Sequence, residues 1–119
     1  MKLLKFLSFA MLLSIIAISC SKDDTTPPVI TILTPVEGAT LIRGTSYPVT
    51  GTVTDDEALA TIDAAGQKIT TFDSPTNHAF KNLNIKIDST QAPGNYNISI
   101  SATDKAGNTA TKIVNFKVQ

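Results

Sequence analysis

The residues able to do chemistry in this 119-residue chain are few: one cysteine, Cys20, one histidine, His78, and two acidic groups, Asp55-Asp56-Glu57 and Asp104 with Asn108. One thiol forms no internal disulfide, and one imidazole builds no histidine-rich metal cage. His78 stands in a polar run with Pro75, Thr76 and Asn77. No Gly-x-Ser-x-Gly elbow offers it a nucleophile, so it reads as a solvated loop histidine. The adjacent acids at 55 to 57 cannot flank a sugar ring, because glycoside hydrolysis needs two carboxyls roughly 5–10 Å apart across the scissile bond. No glycine loop fit to cradle phosphate occurs either. An enzyme is not expected. Clustered oxygens instead suit a hard cation, since Ca2+ takes six to eight oxygen ligands, and Asp55, Asp56, Glu57, Asp104 and Asn108 are the candidate donors. The same residues also read as plain turn formers beside Gly107 and a solvated acidic loop. Apart from such an ion, no cofactor is expected.

These groups need a scaffold, and from Val29 onward the pattern is that of strands: β-branched residues abound, apolar positions alternate with a period of two, and turn residues recur every eight to twelve positions. No segment has a helical period. Strands are expected at 29–34, 39–42, 47–54, 59–64, 68–72, 80–87, 96–102 and 109–118. Ala65-Gly66 is expected to close a hairpin, residues 73–79 to form a loop, and Pro48 to mark an edge or bulge. Seven or so strands in about 90 residues have the size and rhythm of an antiparallel sandwich. In such a sandwich the loop after the strand ending at Thr54 and the loop before the last strand lie at one pole, which brings Asp55, Asp56 and Glu57 toward Asp104 and Asn108.

The amino terminus is a different polymer. Fourteen of the first nineteen residues are apolar, behind Lys2 and Lys5, and the run ends in Ala17-Ile18-Ser19-Cys20. That is the length of a signal-peptide core and too short to read as a membrane span. With residues 1–19 removed, the neutral precursor becomes a domain of net charge −2. The zero net charge of the whole chain already argues against a nucleic-acid partner, which needs a basic face. Ser21 to Pro28 reads as a short stiff tether.

The junction at Cys20 resembles the lipobox of bacterial lipoproteins, in which the cysteine thiol is joined to a diacylglyceryl group and becomes the first residue of the mature chain. Several acyl chains, palmitate among them, hold a domain on a bilayer where one alone would be marginal. Ser21-Lys22-Asp23-Asp24 is similar to the export signal that sends Bacteroidetes lipoproteins to the outer face of the outer membrane. Pro27-Pro28-Val29-Ile30, Gly51-Thr52-Val53-Thr54-Asp55 and the stretch from Gly94 to Asn108 resemble bacterial immunoglobulin-like domains, in particular those of single-domain Bacteroidetes lipoproteins of unknown function. The resemblance makes Tyr96 the corner tyrosine, its hydroxyl returning to backbone just upstream. Asp24-Thr25-Thr26 and Asp88-Ser89-Thr90 resemble the O-glycosylation sequence of the same bacteria, which marks Thr25 and Ser89.

The expectation is therefore an outer-membrane lipoprotein with a signal peptide at 1–19, an acylated tether at 20–28 and an all-β immunoglobulin-like sandwich at 29–119. It would be anchored by lipid, face the cell exterior, and act as a non-enzymatic binding or structural module toward a protein or glycan. The alternative is a glycan-binding accessory of an outer-membrane polysaccharide-uptake system. Sugar sites favour exposed aromatic faces, and only Phe72 and Phe80 are placed to supply them.

Overall fold

The computed structural model describes residues 23–119 and contains ten strands and no helix among them. They are β1 (Val29–Thr34), β2 (Ala39–Leu41), β3 (Ser46–Pro48), β4 (Thr50–Thr54), β5 (Leu59–Ala64), β6 (Gln67–Ile69), β7 (Asn77–Ala79), β8 (Asn84–Lys86), β9 (Gly94–Asp104) and β10 (Thr109–Val118). One layer is a five-stranded sheet in the order β2-β10-β9-β5-β6; the other is the sheet β1-β4-β7, continued by the pair β3-β8. This is the expected all-β sandwich.

Period-two alternation builds the core. On β9, Ile98, Ile100 and Ala102 point inward, on β10 Val114, Phe116 and Val118 do, and on β5 of the same sheet Leu59 and Ile62 do, while Val49 and Val53 enter the core from the other layer. Ile62, Ile100 and Val53 are wholly buried. Each such side chain is worth about 1.5–3 kcal/mol on removal from water. With no disulfide available, this apolar layer is the main source of stability.

The structure differs from the sequence reading in several respects, and the strands expected at 68–72 and 80–87 shorten to β6 (Gln67–Ile69) and β8 (Asn84–Lys86). The stretch 47–54 splits into β3 and β4 at Val49, whose N–H bonds Leu83 O at 2.8 Å; Pro48 lacks the N–H that would continue the ladder. Residues 73–79 are not all loop, because Asn77–Ala79 pairs with β4 as β7. Finally, the sandwich is not wholly antiparallel: β2 runs parallel to β10, with Ala39 opposite Phe116 and Leu41 opposite Val118. The three-residue β7 carries too little alternation to be read from sequence.

Two turn features match expectation. Ala65 and Gly66 both take positive φ, 49° and 82°, as a two-residue hairpin turn requires. Tyr96 donates its hydroxyl to Ala92 O at 2.7 Å, closing the corner upstream of β9, and its ring stacks on Phe116 at 6.2 Å.

Candidate metal centre

The inward register that buries the core also buries two acids. Val49, Gly51 and Val53 alternate inward along β4, and the next residue in that series is Asp55; Ile98, Ile100 and Ala102 alternate inward along β9, and the next is Asp104. Both strands end at the same pole, so each places a carboxylate on the core side just where the core stops. Asp104 is 2% exposed and Asp55 9%. The loops carrying them are joined by Lys105 N–H to Ala58 O at 2.9 Å, and the Asp55 loop is tied to the segment before β7 by Asp55 N–H to Thr76 O at 2.9 Å and Leu59 N–H to Pro75 O at 2.8 Å.

A third carboxylate comes from the entry segment. Asp24 O accepts the Asn108 side-chain amide at 2.9 Å, which holds residues 23–26 against the pole. Carboxylate oxygens of Asp24, Asp55 and Asp104 then lie within 4.8 Å of one another. Each acid has its own local bonds. Asp55 Oδ2 accepts the Glu57 and Ala58 N–H groups at 3.1 and 2.8 Å. Asp104 Oδ1 accepts Asn108 N–H and its Oδ2 accepts Asn108 Nδ2, both at 2.8 Å. Asp24 Oδ1 accepts Thr26 N–H at 2.9 Å. Two oxygens remain: Asp24 Oδ2 and Asp55 Oδ1 are buried and accept nothing.

The electrostatics follow from this crowding. The Thr26 N–H bond pulls the Asp24 carboxyl down, but burial and the carboxyls of Asp56 and Asp104 outweigh it and hold it above the ordinary range. Burial, then Asp24, Asp56, Asp55 and Asp104, push Glu57 up as well. Asp104 ends up lowered: burial opposes its ionisation, and the Asn108 side-chain and backbone donors overcome that. Among the described residues no lysine or arginine pairs with these acids; the one lysine paired with a carboxylate there is Lys81, with Asp73.

No family model and no curated protein matches the chain. Among solved structures, the fibronectin(III)-like modules of Clostridium thermocellum CbhA are similar, at 20% identity and a TM-score of 0.51, covering 76% of this chain and 94% of that one. The fold is a fibronectin(III)-like, immunoglobulin-type sandwich. At that identity the likeness speaks for the fold alone.

On this sandwich the sequence-derived site residues separate. Asp55 and Asp104 meet as expected. Asp56 and Glu57 are exposed and stand at the rim, where with Asp23, Asp24, Thr25 and Thr26 they line a cleft of about 250 Å3. Asn108 braces the acids as a donor, because its Nδ2 is committed to Asp104 and to Asp24 O. Asp24 was not among the residues expected there. Its place rests on an Asn108 bond spanning 84 residues of sequence, which no local pattern announces.

Other expectations change as well. His78 is not solvated: its side chain is 13% exposed on β7, its ring lies edge-on between Phe72 and Phe80, and Nδ1 is 3.8 Å from Asp73 Oδ2. The inward position follows from β7, whose pairing sets Val53 opposite His78. Phe80 is 7% exposed and belongs to the core, so it offers no face to a sugar. Phe72 is half-buried and lines a groove of about 440 Å3 with Leu59, Asp73, Pro75 and Lys105. Thr25 and Ser89 are both exposed, and Ser89 sits in a turn that Asp88 Oδ1 holds by accepting Thr90 N–H and Oγ1–H at 3.0 Å. Cys20, Ser21 and Lys22 lie outside the described residues.

Proposed function

We propose that the protein is a lipid-anchored, non-enzymatic module of the outer membrane, displaying one immunoglobulin-like sandwich at the cell surface as a binding or structural unit. The observation that carries this reading is the position of Cys20, directly after a charged and apolar leader, with eight residues between it and the first strand at Val29. That spacing leaves only a short tether between an acylated cysteine and a folded domain. The absence of a nucleophile paired with the half-hidden His78 among the described residues fits a module without chemistry of its own. Thr25 and Ser89, both exposed, are the hydroxyls this reading offers for O-glycosylation.

Metabolic labelling with palmitate tests the anchor. The wild-type chain is expected to take up label and the Cys20→Ala variant none; a wild-type chain that stays unlabelled refutes the reading. Replacing Lys22, Asp23 and Asp24 with alanine is expected to lower the fraction shaved from intact cells by protease, as the export-signal role requires.

A glycan-binding accessory role retains one supporting observation, the Phe72 groove with its apolar wall and the flanking Asp73 and Lys105. Affinity electrophoresis in polysaccharide gels separates the two readings: retardation abolished by Phe72→Ala supports glycan binding, and unretarded migration supports the structural module.

A further inference from the structure

We infer that Asp24, Asp55 and Asp104 form a Ca2+ site that clasps the entry segment, residues 23–26, onto the pole of the sandwich. Two independent observations meet here. The first is the convergence of three carboxylates within 4.8 Å. Asp55 and Asp104 are placed there by inward strand register, and Asp24 by the Asn108 amide. The second is that Asp55, more than nine-tenths buried, commits Oδ2 to its own loop and leaves Oδ1 buried without a donor, while Asp24 Oδ2 is left in the same state. Protein structures almost always satisfy buried polar atoms, and a buried carboxylate without a positive partner is costly. A cation satisfies both free oxygens and the net charge at once.

The chemistry selects Ca2+ over other ions. All donors are oxygens, which disfavours Zn2+ and copper, the ions of nitrogen and sulfur sites. The ligands come from three separate segments, the entry segment, the loop after β4 and the end of β9, and leave an open cleft bordered by exposed Asp56 and Glu57. Ca2+ accepts six to eight oxygens in flexible geometry and completes its shell with water and rim carboxylates, whereas Mg2+ demands a near-ideal octahedron and keeps its waters. Asn108 has the second role such sites need, since its amide and N–H bonds orient Asp104 and tie it to Asp24. Because one ligand belongs to the entry segment and two to the sandwich, binding couples the ion to the order of that segment. This inference is independent of the acyl anchor.

The test is calorimetric titration of the chelator-stripped full chain in detergent, first with CaCl2 and then with MgCl2. One Ca2+ per chain is expected, with a dissociation constant of about 10−4 M, typical of extracellular modules, a raised Tm, and Mg2+ at least about 10-fold weaker. Asp24→Asn keeps an acceptor for Thr26 N–H but loses the charge; it is expected to fold normally and bind at least about 10-fold more weakly. Amide hydrogen exchange at Thr25 and Thr26 is expected to slow on Ca2+ addition in the wild type and not in the variant. No heat and an unchanged Tm at about 10 mM Ca2+, well above the range of such modules, overturns the site. Equal affinity for Mg2+ overturns the assignment to Ca2+, and undiminished binding by Asp24→Asn, or exchange indifferent to Ca2+, overturns the clasp.

Discussion

At Gly51 β4 approaches the β1 backbone closely, and replacing it with alanine gives a sharp test of the packing between those strands. It pairs opposite Ile32 with φ at 154°, and an added Cβ would stand 2.1 Å from Thr31 O and 3.0 Å from Ile32 Cα. Both obstacles are backbone, so no side chain can rotate away. Restoring an ordinary contact needs a shift of β1 by about 1 Å, and densely packed interiors resist such shifts at about 1–3 kcal/mol or more. Holding a residue with a side chain at that φ adds about 1–3 kcal/mol. The expected loss for Gly51→Ala is therefore about 4 kcal/mol, a large part of the roughly 5–15 kcal/mol that a domain possesses.

The control is Gly38→Ala. Gly38 also has positive φ, 78°, yet nothing lies within 4 Å of its would-be Cβ, so only the conformational cost of about 1–2 kcal/mol applies. Urea titrations and thermal scans followed by far-UV circular dichroism measure both variants. At about 4–8 °C per kcal/mol for a domain of this size, Gly51→Ala is expected to lower Tm by about 15–30 °C and Gly38→Ala by about 5–15 °C. A Gly51 variant no less stable than the Gly38 variant refutes the close approach of β1 and β4.

Tyr96→Phe removes the 2.7 Å bond to Ala92 O while keeping the ring on Phe116, and is expected to cost about 1 kcal/mol in a urea titration with unchanged slope; a cost near zero means the corner is held by stacking alone. For pH, Asp73 is held below the ordinary carboxylate range by the Ala79 N–H and then Lys81, and Glu37 by the Asn115 N–H and then its side-chain amide. A folded pKa below the unfolded one gives stability that is present above the unfolded value and lost as pH falls through the folded one, so the urea midpoint should drop between about pH 5 and 3. Asp73→Asn with Glu37→Gln should flatten that drop, and an undiminished slope in the double variant rules out these two carboxyls as its source.

Long strands were legible in the sequence because alternation over six or more residues leaves one reading: β1, β5, β9 and β10 lie within a residue or two of where the pattern puts them. What escaped was decided by pairing. β7 exists because Asn77–Ala79 finds the open edge of β4, and that partner turns His78 from a loop residue into a core-facing one. β2 runs parallel because its neighbour β10 returns to the same edge, which composition does not record. At the pole, the strand register already contained Asp55 and Asp104 as the last inward positions of their strands. Asp24 was hidden because it looks like any residue of a polar tether until Asn108 fixes it.

At the pole the sequence works against its own fold. Inward register along β4 and β9 elsewhere delivers Val53, Ile100 and Ala102 to a dry core, and an apolar residue at position 55 or 104 would extend that core at no cost in charge. Turn formation alone accounts for one acid at each loop: Asp55 Oδ2 closes the turn to Ala58 and Asp104 Oδ1 the turn to Asn108. It does not account for the third carboxylate, nor for two buried oxygens that no donor meets. Sequences that specify a fold are consistent from level to level, and departures from that consistency concentrate at sites with another task. Here the departure is specific in sign, being negative throughout, and in position, being where the entry segment meets the sandwich. A positive ion at that junction converts three mutually repelling groups into one cross-link between the segment and the domain. Core burial makes the sandwich stable without that cross-link, so an ion there acts on the attachment of residues 23–26 and leaves the ten strands as they are.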